Sequence, residues 1–242
     1  MEEIKTQAIV LKAIDYKEGG KLLTLFSLER GLIYAKIRGV SKPNAKLAFA
    51  AQPFCFGEYI LASKVGFTVT NCTSIESFYS LTADFDKFVS ASGILEMINI
   101  LAREEEPNPT LFLATLKALK VLEFELAQPL AVFIKFFIFA MDNAGYRMKL
   151  DACPVCGNAS PIKEKFSFRR GARMCAMCAD NDSIFLSAGE VMVLKNINAT
   201  PIEKLTTLKF ASLDNVVTVV KILLRYFEEK TGEQIRGIKD YL

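Results

Sequence analysis

The sequence predicts an α+β multidomain protein, in which a small N-terminal β-barrel is followed by an all-α domain with an inserted four-cysteine segment. Over the first eighty residues, alternation of apolar and polar residues with a period of two is mixed with short continuous apolar runs. From residue 82 the apolar spacing is helical, and two Cys-x-x-Cys pairs interrupt this helical part. The 242 residues suffice for one large domain or two to three small ones. The predicted domains are 1–80, 81–150 together with 181–242, and 151–180.

Five short strands are predicted in residues 1–80, at Ile4–Ile14, Lys21–Leu28, Leu32–Arg38, Phe54–Ala62 and Phe67–Val69. Turn residues separate them, and a longer connection, 41–51, follows the third strand. The predicted turns are Glu18-Gly19-Gly20, Arg30-Gly31 and Lys64-Val65-Gly66. This arrangement is typical of a small Greek-key barrel such as the OB-fold, although an SH3-like barrel or a small sandwich gives nearly the same pattern.

Five helices are predicted after residue 82, because apolar residues there recur at intervals of three and four. Asn108 followed by Pro109 marks the start of the second helix, and Pro129 starts the third. Ser187 and Glu190 form a capping box ahead of the fourth. The third helix is apolar nearly all round, so we expect it at the centre of the helical domain. The predicted helices are 84–103, 108–127, 129–145, 190–197 and 213–230.

The sequence does not have the pattern of a secretory signal or of a membrane span. The longest apolar stretch, Leu130–Met141, has twelve residues, whereas a transmembrane helix needs about 20. The N-terminus begins acidic and continues as an alternating strand, which is not the basic-then-apolar layout of a signal peptide. We therefore expect a cytoplasmic protein that does not associate with membranes.

The net charge of +3 is unevenly placed along the chain, and the sequence contains no histidine. Residues 1–80 have a net charge of +3 and residues 151–180 of +2, whereas 81–150 are net negative and 181–242 balance. The two positive segments are where an anionic polymer would be held. The lack of histidine excludes the commonest general base and the Ser-His and Cys-His nucleophile pairs, so we expect that the protein is not an enzyme.

Four of the six cysteines form two Cys-x-x-Cys pairs that are separated by eighteen residues. This spacing is typical of a zinc site in which two tight turns present four thiolates to one ion. Because four thiolates leave no open coordination position, we expect one structural Zn²⁺ per chain. An iron–sulfur cluster, a redox dithiol or disulfides stay open as alternatives. The predicted ligands are Cys153, Cys156, Cys175 and Cys178.

The other two cysteines, Cys55 and Cys72, lie in strand-like apolar segments, where buried thiols are expected. The basic residues of the four-cysteine segment have two interpretations, because they either contact nucleic acid or neutralise the thiolate cluster. These residues are Lys163, Lys165, Arg169, Arg170 and Arg173, of which the three arginines are candidate nucleic-acid ligands.

A basic stretch continues from Arg30 to Lys46 without an acidic residue. Lys36 and Arg38 are two residues apart on a predicted strand, so their side chains share one face. The candidate phosphate-contacting residues of the barrel are Lys12, Lys21, Lys36, Arg38, Lys42 and Lys46. Tyr16, Tyr34 and Tyr59 are candidates for stacking on bases, with a solvated charged surface and core tyrosines as the alternative interpretation.

Together these segments resemble the RecO family. The resemblance lies in Ala8–Lys12, Lys21–Ser27 and Gly31–Gly39 of the barrel, and in Leu223–Gly232 near the end of the chain. The sequences Cys-Pro-Val-Cys-Gly and Cys-Ala-Met-Cys, on either side of Phe166–Gly171, are similar to the zinc segment of that family. The order and spacing of these segments match over the whole chain.

The resemblance implies an N-terminal OB-fold barrel followed by an all-α domain with an inserted four-cysteine zinc-finger segment. It implies a nucleoid-associated mediator of DNA repair and recombination that binds single- and double-stranded DNA and anneals complementary strands without chemistry. The implied partners are RecR, the single-strand-binding protein and, indirectly, RecA.

Two other functions stay open from the residues alone. One is a protein-interaction scaffold with incidental DNA affinity, which the apolar helices and the balanced charge of 181–242 favour. The other is a nuclease with a carboxylate site, either at Asp84 and Asp86 or at Glu104, Glu105 and Glu106.

Overall fold

A computed structural model of the protein describes residues 2–17, 19–42, 44–63, 66–159 and 161–242. The chain forms two compact units. The first comprises Met1–Phe88 and Ile94–Leu119, and the second comprises Val89–Gly93 and Lys120–Leu242. Three predicted features, Glu18 in a turn, Pro43 in the long connection and the Lys64-Val65 pair, lie outside the described residues.

The first unit contains a closed barrel of five strands. The strands are β1 (Glu2–Tyr16), β2 (Gly20–Ser27), β3 (Gly31–Ile37), β4 (Phe56–Ser63) and β5 (Phe67–Glu76). They follow the order β1-β2-β3-β5-β4, and β4 pairs back onto β1. The contact between β3 and β5 is parallel and the other contacts are antiparallel. A Greek-key barrel of this order is the OB-fold, so the predicted fold is confirmed.

The inside of the barrel is filled by apolar side chains from all five strands. They include Val10, Leu23, Leu25, Ile33, Ala35, Ile37, Tyr59, Leu61 and Val69. Cys55 and Cys72 belong to the same core, which confirms the expectation of buried thiols. The strands therefore present their other face to the outside, where the polar half of the alternation lies.

β5 continues for seven residues beyond Val69, where the sequence predicted its end. The added stretch, Thr70–Glu76, is mostly polar, which hides the alternation in the sequence. It remains a strand because it pairs with β4, with Cys72 opposite Tyr59 and Ser74 opposite Gly57. The length of this strand is therefore set by its pairing with β4. The face of a strand that is exposed to water needs no apolar residues, so apolar alternation does not reveal such a strand.

The described residues form six helices, of which five were predicted. They are α1 (Phe85–Leu101), α2 (Pro109–Phe124), α3 (Pro129–Asn143), α4 (Ala188–Ala199), α5 (Leu213–Thr231) and the short α6 (Arg236–Lys239). The side chain of Asn108 accepts a hydrogen bond from Leu111 N–H, and the capping box of Ser187 and Glu190 is present. Within the described ranges, the helices are too short or too polar to cross a membrane.

The predicted central helix, α3, is the core of the second unit. Nine of its residues are buried, from Leu130 to Met141. It packs against α4 and α5, and the ring centres of Phe137 and Phe227 are 6.1 Å apart. Its one cation, Lys135, donates a hydrogen bond from Nζ to the carbonyl oxygen of Asn198, and burial lowers its pKa. The sequence, in which α3 is apolar nearly all round, thus predicted the central position of this helix correctly.

A three-stranded sheet carries the four-cysteine segment. Its strands are β6 (Glu164–Ser167), β7 (Ala172–Cys175) and β8 (Ile184–Leu186), in the order β7-β6-β8. The turn between β6 and β7 ends at Gly171, whose φ of +56° favours glycine. A Cβ atom at Gly171 would collide with the ring of Tyr226, so this turn lies directly on α5.

Candidate nucleic-acid interface and metal centre

The outer face of the barrel divides into a covered half and an exposed half. Residues that pair directly across antiparallel strands point to the same face. In the covered half, the rings of Phe26 and Phe56 contact Phe112 of α2, with ring centres 5.5 and 6.0 Å away. In the exposed half, Lys12 and Tyr34 lie on either side of Thr24, across β1, β2 and β3. The barrel thus leaves one patch of its sheet open to solvent.

This patch combines cations with apolar and aromatic side chains, and we name it the barrel surface. Its next row consists of Ile14, Leu22 and Lys36, which pair across the same three strands. Ile14 is 46% exposed and Tyr34 is 44% exposed, although both are large and largely apolar. A binding site for single-stranded nucleic acid combines exposed aromatic rings with cations, because bases stack on the rings and phosphates attract the cations. The barrel surface consists of Lys12, Ile14, Tyr16, Lys17, Leu22, Tyr34, Lys36, Arg38 and Lys42.

A cleft of about 620 Å³ lies at one end of the barrel surface. It is formed by the end of β1, the start of β2 and the chain that follows β3. Its lining includes Tyr16, Lys17, Gly20, Lys36, Ile37, Arg38, Gly39 and Lys42. Four cations therefore meet in one cleft, which favours binding of a polyanion.

The cleft is held together by contacts between its own residues. The Nζ atoms of Lys17 and Lys36 lie 5.7 and 5.4 Å from the centre of the Tyr16 ring, within the range of cation–π contacts. The backbone N–H of Ser41 donates to the carbonyl oxygen of Gly19 at 3.0 Å. This bond ties the chain after β3, which carries Arg38 and Lys42, to the turn that follows β1.

Among the described residues, the cations of the cleft are accessible and form no ion pair with an acid. Arg38 and Lys42 are exposed, and Lys36 is partly exposed. In the part of the chain that the structure describes, the carboxylates that form ion pairs are partnered by other cations, as Glu58 is by Lys5 at 2.9 Å. Lys12 and Lys46 are also exposed, although Lys46 is not among the residues that line the cleft.

Lys21 does not share a face with these residues. It pairs with Asp15 and Ile37, and Ile37 belongs to the barrel core. Its side chain therefore starts from the inner side of the sheet, next to a carboxylate. The sequence predicted that Lys21 and Lys36 contribute to one basic surface, because both are basic residues on neighbouring strands. The register of β2 and β3 instead puts their side chains on opposite faces of the sheet.

One of the three stacking candidates is wrong. Tyr59 is fully buried in the barrel, and its hydroxyl donates to the carbonyl oxygen of Ala50 at 3.0 Å. Burial raises the pKa of Tyr59 well above its usual range. Tyr16 and Tyr34 keep accessible rings on the barrel surface. The spacing of residues in the sequence did not indicate Lys17 or Ile14, although Lys17 directly precedes the predicted glycine turn.

The four predicted metal ligands converge in the second unit. The sulfur atoms of Cys153, Cys156, Cys175 and Cys178 all lie within 4.8 Å of one another. The Sγ atoms of Cys156 and Cys175 are 3.7 Å apart. A tetrahedral ion with Zn–S bonds of about 2.3 Å requires sulfur atoms about 3.8 Å apart. The β6–β7 hairpin brings the two pairs together, since Cys175 ends β7 opposite Glu164.

Backbone hydrogen bonds favour the thiolate form of Cys153. Burial would raise the pKa of Cys153, but N–H groups of Cys156, Cys175 and Val155 that point to its sulfur lower that pKa to about 6. The hydrogen bond between the thiols of Cys178 and Cys175 raises the pKa of Cys178 to about 12. Four thiolates this close repel one another unless a cation lies between them. The residues therefore fit a divalent ion.

The assignment of Arg173 to a nucleic-acid interface is wrong. Its side chain is 1% exposed, and its guanidinium pairs with Glu164. It also donates to the carbonyl oxygen of Leu150 at 2.7 Å, to that of Asp151 and to that of Ala159 at 3.0 Å. All of its donors are directed into the protein, so Arg173 joins the chain around the first cysteine pair to β7.

Arg169 and Arg170, in contrast, are exposed in the turn between β6 and β7. The neighbouring carboxylate, Asp180, accepts hydrogen bonds from Ser183 and Ser167, and these bonds lower its pKa. Both arginines contribute weaker electrostatic attraction to that carboxylate. They therefore face solvent with only a part of their charge compensated.

Two family profiles cover nearly the whole chain. "Recombination protein O N terminal" matches residues 1–80, and "Recombination protein O C terminal" matches residues 82–237. This chain belongs to the RecO family. Similar proteins include the DNA repair protein RecO of Acetivibrio thermocellus, which is 28% identical over 95% of this chain and 92% of that protein. The DNA repair protein RecO of Desulforamulus reducens is 30% identical over 95% of this chain and 90% of its own.

Proposed function

We propose that the protein is a non-catalytic DNA-binding mediator of recombination in DNA repair. It binds and anneals single-stranded DNA, binds double-stranded DNA and, with RecR, helps to load RecA onto strands coated with single-strand-binding protein. The observation that carries this proposal is the barrel surface, where Lys36, Arg38 and Lys42 meet in one cleft beside exposed aromatic rings. The partners and the cytoplasmic, nucleoid-associated location are proposed from family membership.

The proposed absence of catalysis is supported by the positions of the acidic residues. Asp84 caps the N-terminus of α1, where its carboxylate accepts a hydrogen bond from Lys87 N–H at 3.1 Å, and Asp86 follows in the first turn. Acidic side chains in these positions stabilise the positive end of a helix. Glu106 pairs with Arg103 at the exposed end of α1. These carboxylates therefore have structural roles at helix ends.

We further propose that the four cysteines bind one structural Zn²⁺ per chain. The ion would be held by Cys153, Cys156, Cys175 and Cys178, and it would supply the cross-link between the two Cys-x-x-Cys turns. The β6–β7 hairpin packs on α5, but the apolar cluster next to the cysteines, Cys153, Ala172 and Met174, is too small to hold the two Cys-x-x-Cys turns by itself.

Removing three charges from the cleft tests the DNA-binding proposal. In the variant Lys36→Ala/Arg38→Ala/Lys42→Ala, we expect affinity for an oligothymidylate to fall about tenfold or more. The slope of log K against log salt should also decrease by about two, since each lost phosphate contact to a single strand removes about 0.7. Fluorescence anisotropy across a salt series measures both quantities.

The matched control removes three exposed lysines elsewhere, Lys117→Ala/Lys204→Ala/Lys209→Ala, and lowers the net charge equally. If both triple variants lose the same affinity, the effect comes from overall charge and the assignment to the cleft is wrong. Unchanged binding in the cleft variant would also contradict the proposal.

The exposed tyrosine of the barrel surface tests base stacking. We expect Tyr34→Ala to weaken binding of single strands by about 1–3 kcal/mol, because stacking of one base contributes about that much. Tyr34→Phe should keep the affinity. Tyr79→Ala is the matched control, since Tyr79 is 73% exposed at a different cleft of the same unit. Equal losses for Tyr34→Ala and Tyr79→Ala would show that stacking is not located on the barrel surface.

A second candidate function, a protein-interaction scaffold, is favoured by the cleft at Tyr79. This cleft of about 590 Å³ is lined mainly by apolar groups, including the exposed rings of Phe49, Tyr79 and Phe88. Exposed apolar patches often bind other proteins. If the scaffold is the main function, DNA binding should be negligible at physiological salt, whereas a complex with a partner such as RecR should survive high salt and be weakened by Tyr79→Ala.

A further inference from the structure

A second group of cations lies in the second unit, on the turn between β6 and β7 and on the neighbouring part of α5. The turn supplies Arg169 and Arg170, and α5 supplies Lys221, Arg225 and Lys230. Four of the five are exposed, and Lys230 is partly exposed. We name this group the hairpin surface. The two arginines were candidates from the sequence, whereas the three residues of α5 were not.

Direct contacts join the two parts of the hairpin surface. Nζ of Lys230 donates a hydrogen bond to the carbonyl oxygen of Arg169 at 2.8 Å. The guanidinium carbon of Arg225 lies 4.2 Å from the centre of the ring of Phe168, the residue before Arg169. The turn thus rests on α5, and the cations of both elements belong to one continuous surface.

The contact with Phe168 restrains the guanidinium of Arg225. Phe168 is buried, so the ring itself is held in place by the protein. An arginine stacked on a ring keeps the N–H groups at its edge available, and this planar edge matches the oxygens of a phosphate. Because the side chain is already ordered, less conformational entropy is lost when it binds.

The acids near the hairpin surface do not cancel its charge. Glu228 of α5 pairs with Lys239 at 3.7 Å and accepts a hydrogen bond from Gln234. Asp180 accepts hydrogen bonds from two serine hydroxyls. Glu229 is an exposed acid of the same helix. The five cations therefore outnumber the three nearby carboxylates, and within the described ranges none of the five takes part in an ion pair.

We propose that the hairpin surface binds the phosphates of a second nucleic-acid strand while the barrel surface holds the first. The proposal rests on the proposed function, and it gives that function a physical basis in this chain. Two strands bound to one protein meet at an effective concentration of the order of millimolar, which accelerates their pairing. Phe168, the ring beneath Arg225, is buried, so the hairpin surface offers cations to the phosphates and leaves the bases free to pair.

The test counts strands per chain with a short probe. A fluorescent thymidine oligonucleotide of about eight nucleotides covers one OB-fold site. For the unaltered protein we expect two oligonucleotides per chain. The variant Arg169→Ala/Arg170→Ala/Lys221→Ala should bind one per chain and anneal complementary strands at least about tenfold more slowly, because the second strand is no longer held. It leaves Arg225 and Lys230 in place because they also hold the turn.

The charge-conserving variant Arg169→Lys/Arg170→Lys should still bind two oligonucleotides, which separates a role of charge from damage to the fold. The cleft variant Lys36→Ala/Arg38→Ala/Lys42→Ala should lose the other oligonucleotide. If the alanine variant of the hairpin surface keeps two oligonucleotides and its annealing rate, the inference fails while the proposed function stands. If the cleft variant binds as the unaltered protein does, the proposed function fails.

An acidic protein segment is the other class of ligand that cations can attract, and a polyglutamate peptide measures this alternative. If the peptide competes with DNA at the barrel surface but not at the hairpin surface, the result agrees with the proposal. Loss of peptide binding without any loss of oligonucleotide binding in the hairpin variant would assign this surface to a protein partner and overturn the inference.

Discussion

Replacing Cys175 with serine is expected to remove the metal and to unfold the four-cysteine segment. Zinc bound by four thiolates contributes about 10–16 kcal/mol in isolated zinc-finger peptides at neutral pH, and the two Cys-x-x-Cys turns, which share only a small apolar cluster, depend on it. The zinc content should fall from one ion per chain to nearly none. The midpoint of thermal unfolding should fall with it, because the second unit loses its folded hairpin. Atomic emission and circular dichroism measure the two effects.

The core cysteine Cys72 provides the matched control, because Cys72→Ala removes a buried thiol from the barrel and leaves the cluster complete. This variant should keep one zinc ion per chain. Acid should release the ion from the unaltered protein, since protons compete with the metal for thiolates. A Cys175→Ser protein with the original zinc content and thermal stability would contradict a structural metal site.

Replacing Arg173 with methionine is expected to cost about 3–5 kcal/mol of the free energy of unfolding, because it leaves the charge of Glu164 without its partner. The pair is almost completely buried, with side-chain exposures of 1% and 11%. Three backbone carbonyl oxygens, those of Leu150, Asp151 and Ala159, lose a charged donor at the same time. Urea unfolding followed by circular dichroism measures the loss.

Arg170→Met serves as the control, since Arg170 is an exposed arginine of the same segment and its replacement should change stability by no more than about 0.5 kcal/mol. The double variant Arg173→Met/Glu164→Leu should recover much of the loss, because removing both partners of a buried ion pair costs far less than removing one. Equal effects of Arg173→Met and Arg170→Met would refute the structural role of Arg173.

The sequence could not distinguish the buried Arg173 from its exposed neighbours Arg169 and Arg170. All three are basic residues within five positions of the same segment, and the pattern gave them the same two interpretations. In the structure, Arg173 lies on β7 with its side chain inside, whereas the other two lie in the turn. A charged residue can be buried when specific carbonyl and carboxylate oxygens surround it, and those oxygens come from distant positions in the chain.

Lys21 and Tyr59 show the same limit in the barrel. The alternation of residues indicates which side chains of one strand share a face, but not which face of the next strand they join. Only the pairing of β2 with β3 shows that Lys21 lies opposite Ile37. Tyr59 is amphipathic, so its place in the core depends on Ala50 offering a carbonyl oxygen to its hydroxyl.

The amino-acid sequence alone was sufficient for the order of the five barrel strands and five of the six described α-helices, the four converging cysteines, the central position of α3 and most helix ends. These features depend on periodicity, spacing and capping, which act over a few residues. Strand register, the burial of Arg173 and the union of Arg169 with the cations of α5 required the folded protein. They depend on contacts between residues far apart in the chain, such as Lys230 with Arg169, and no local pattern encodes such a contact.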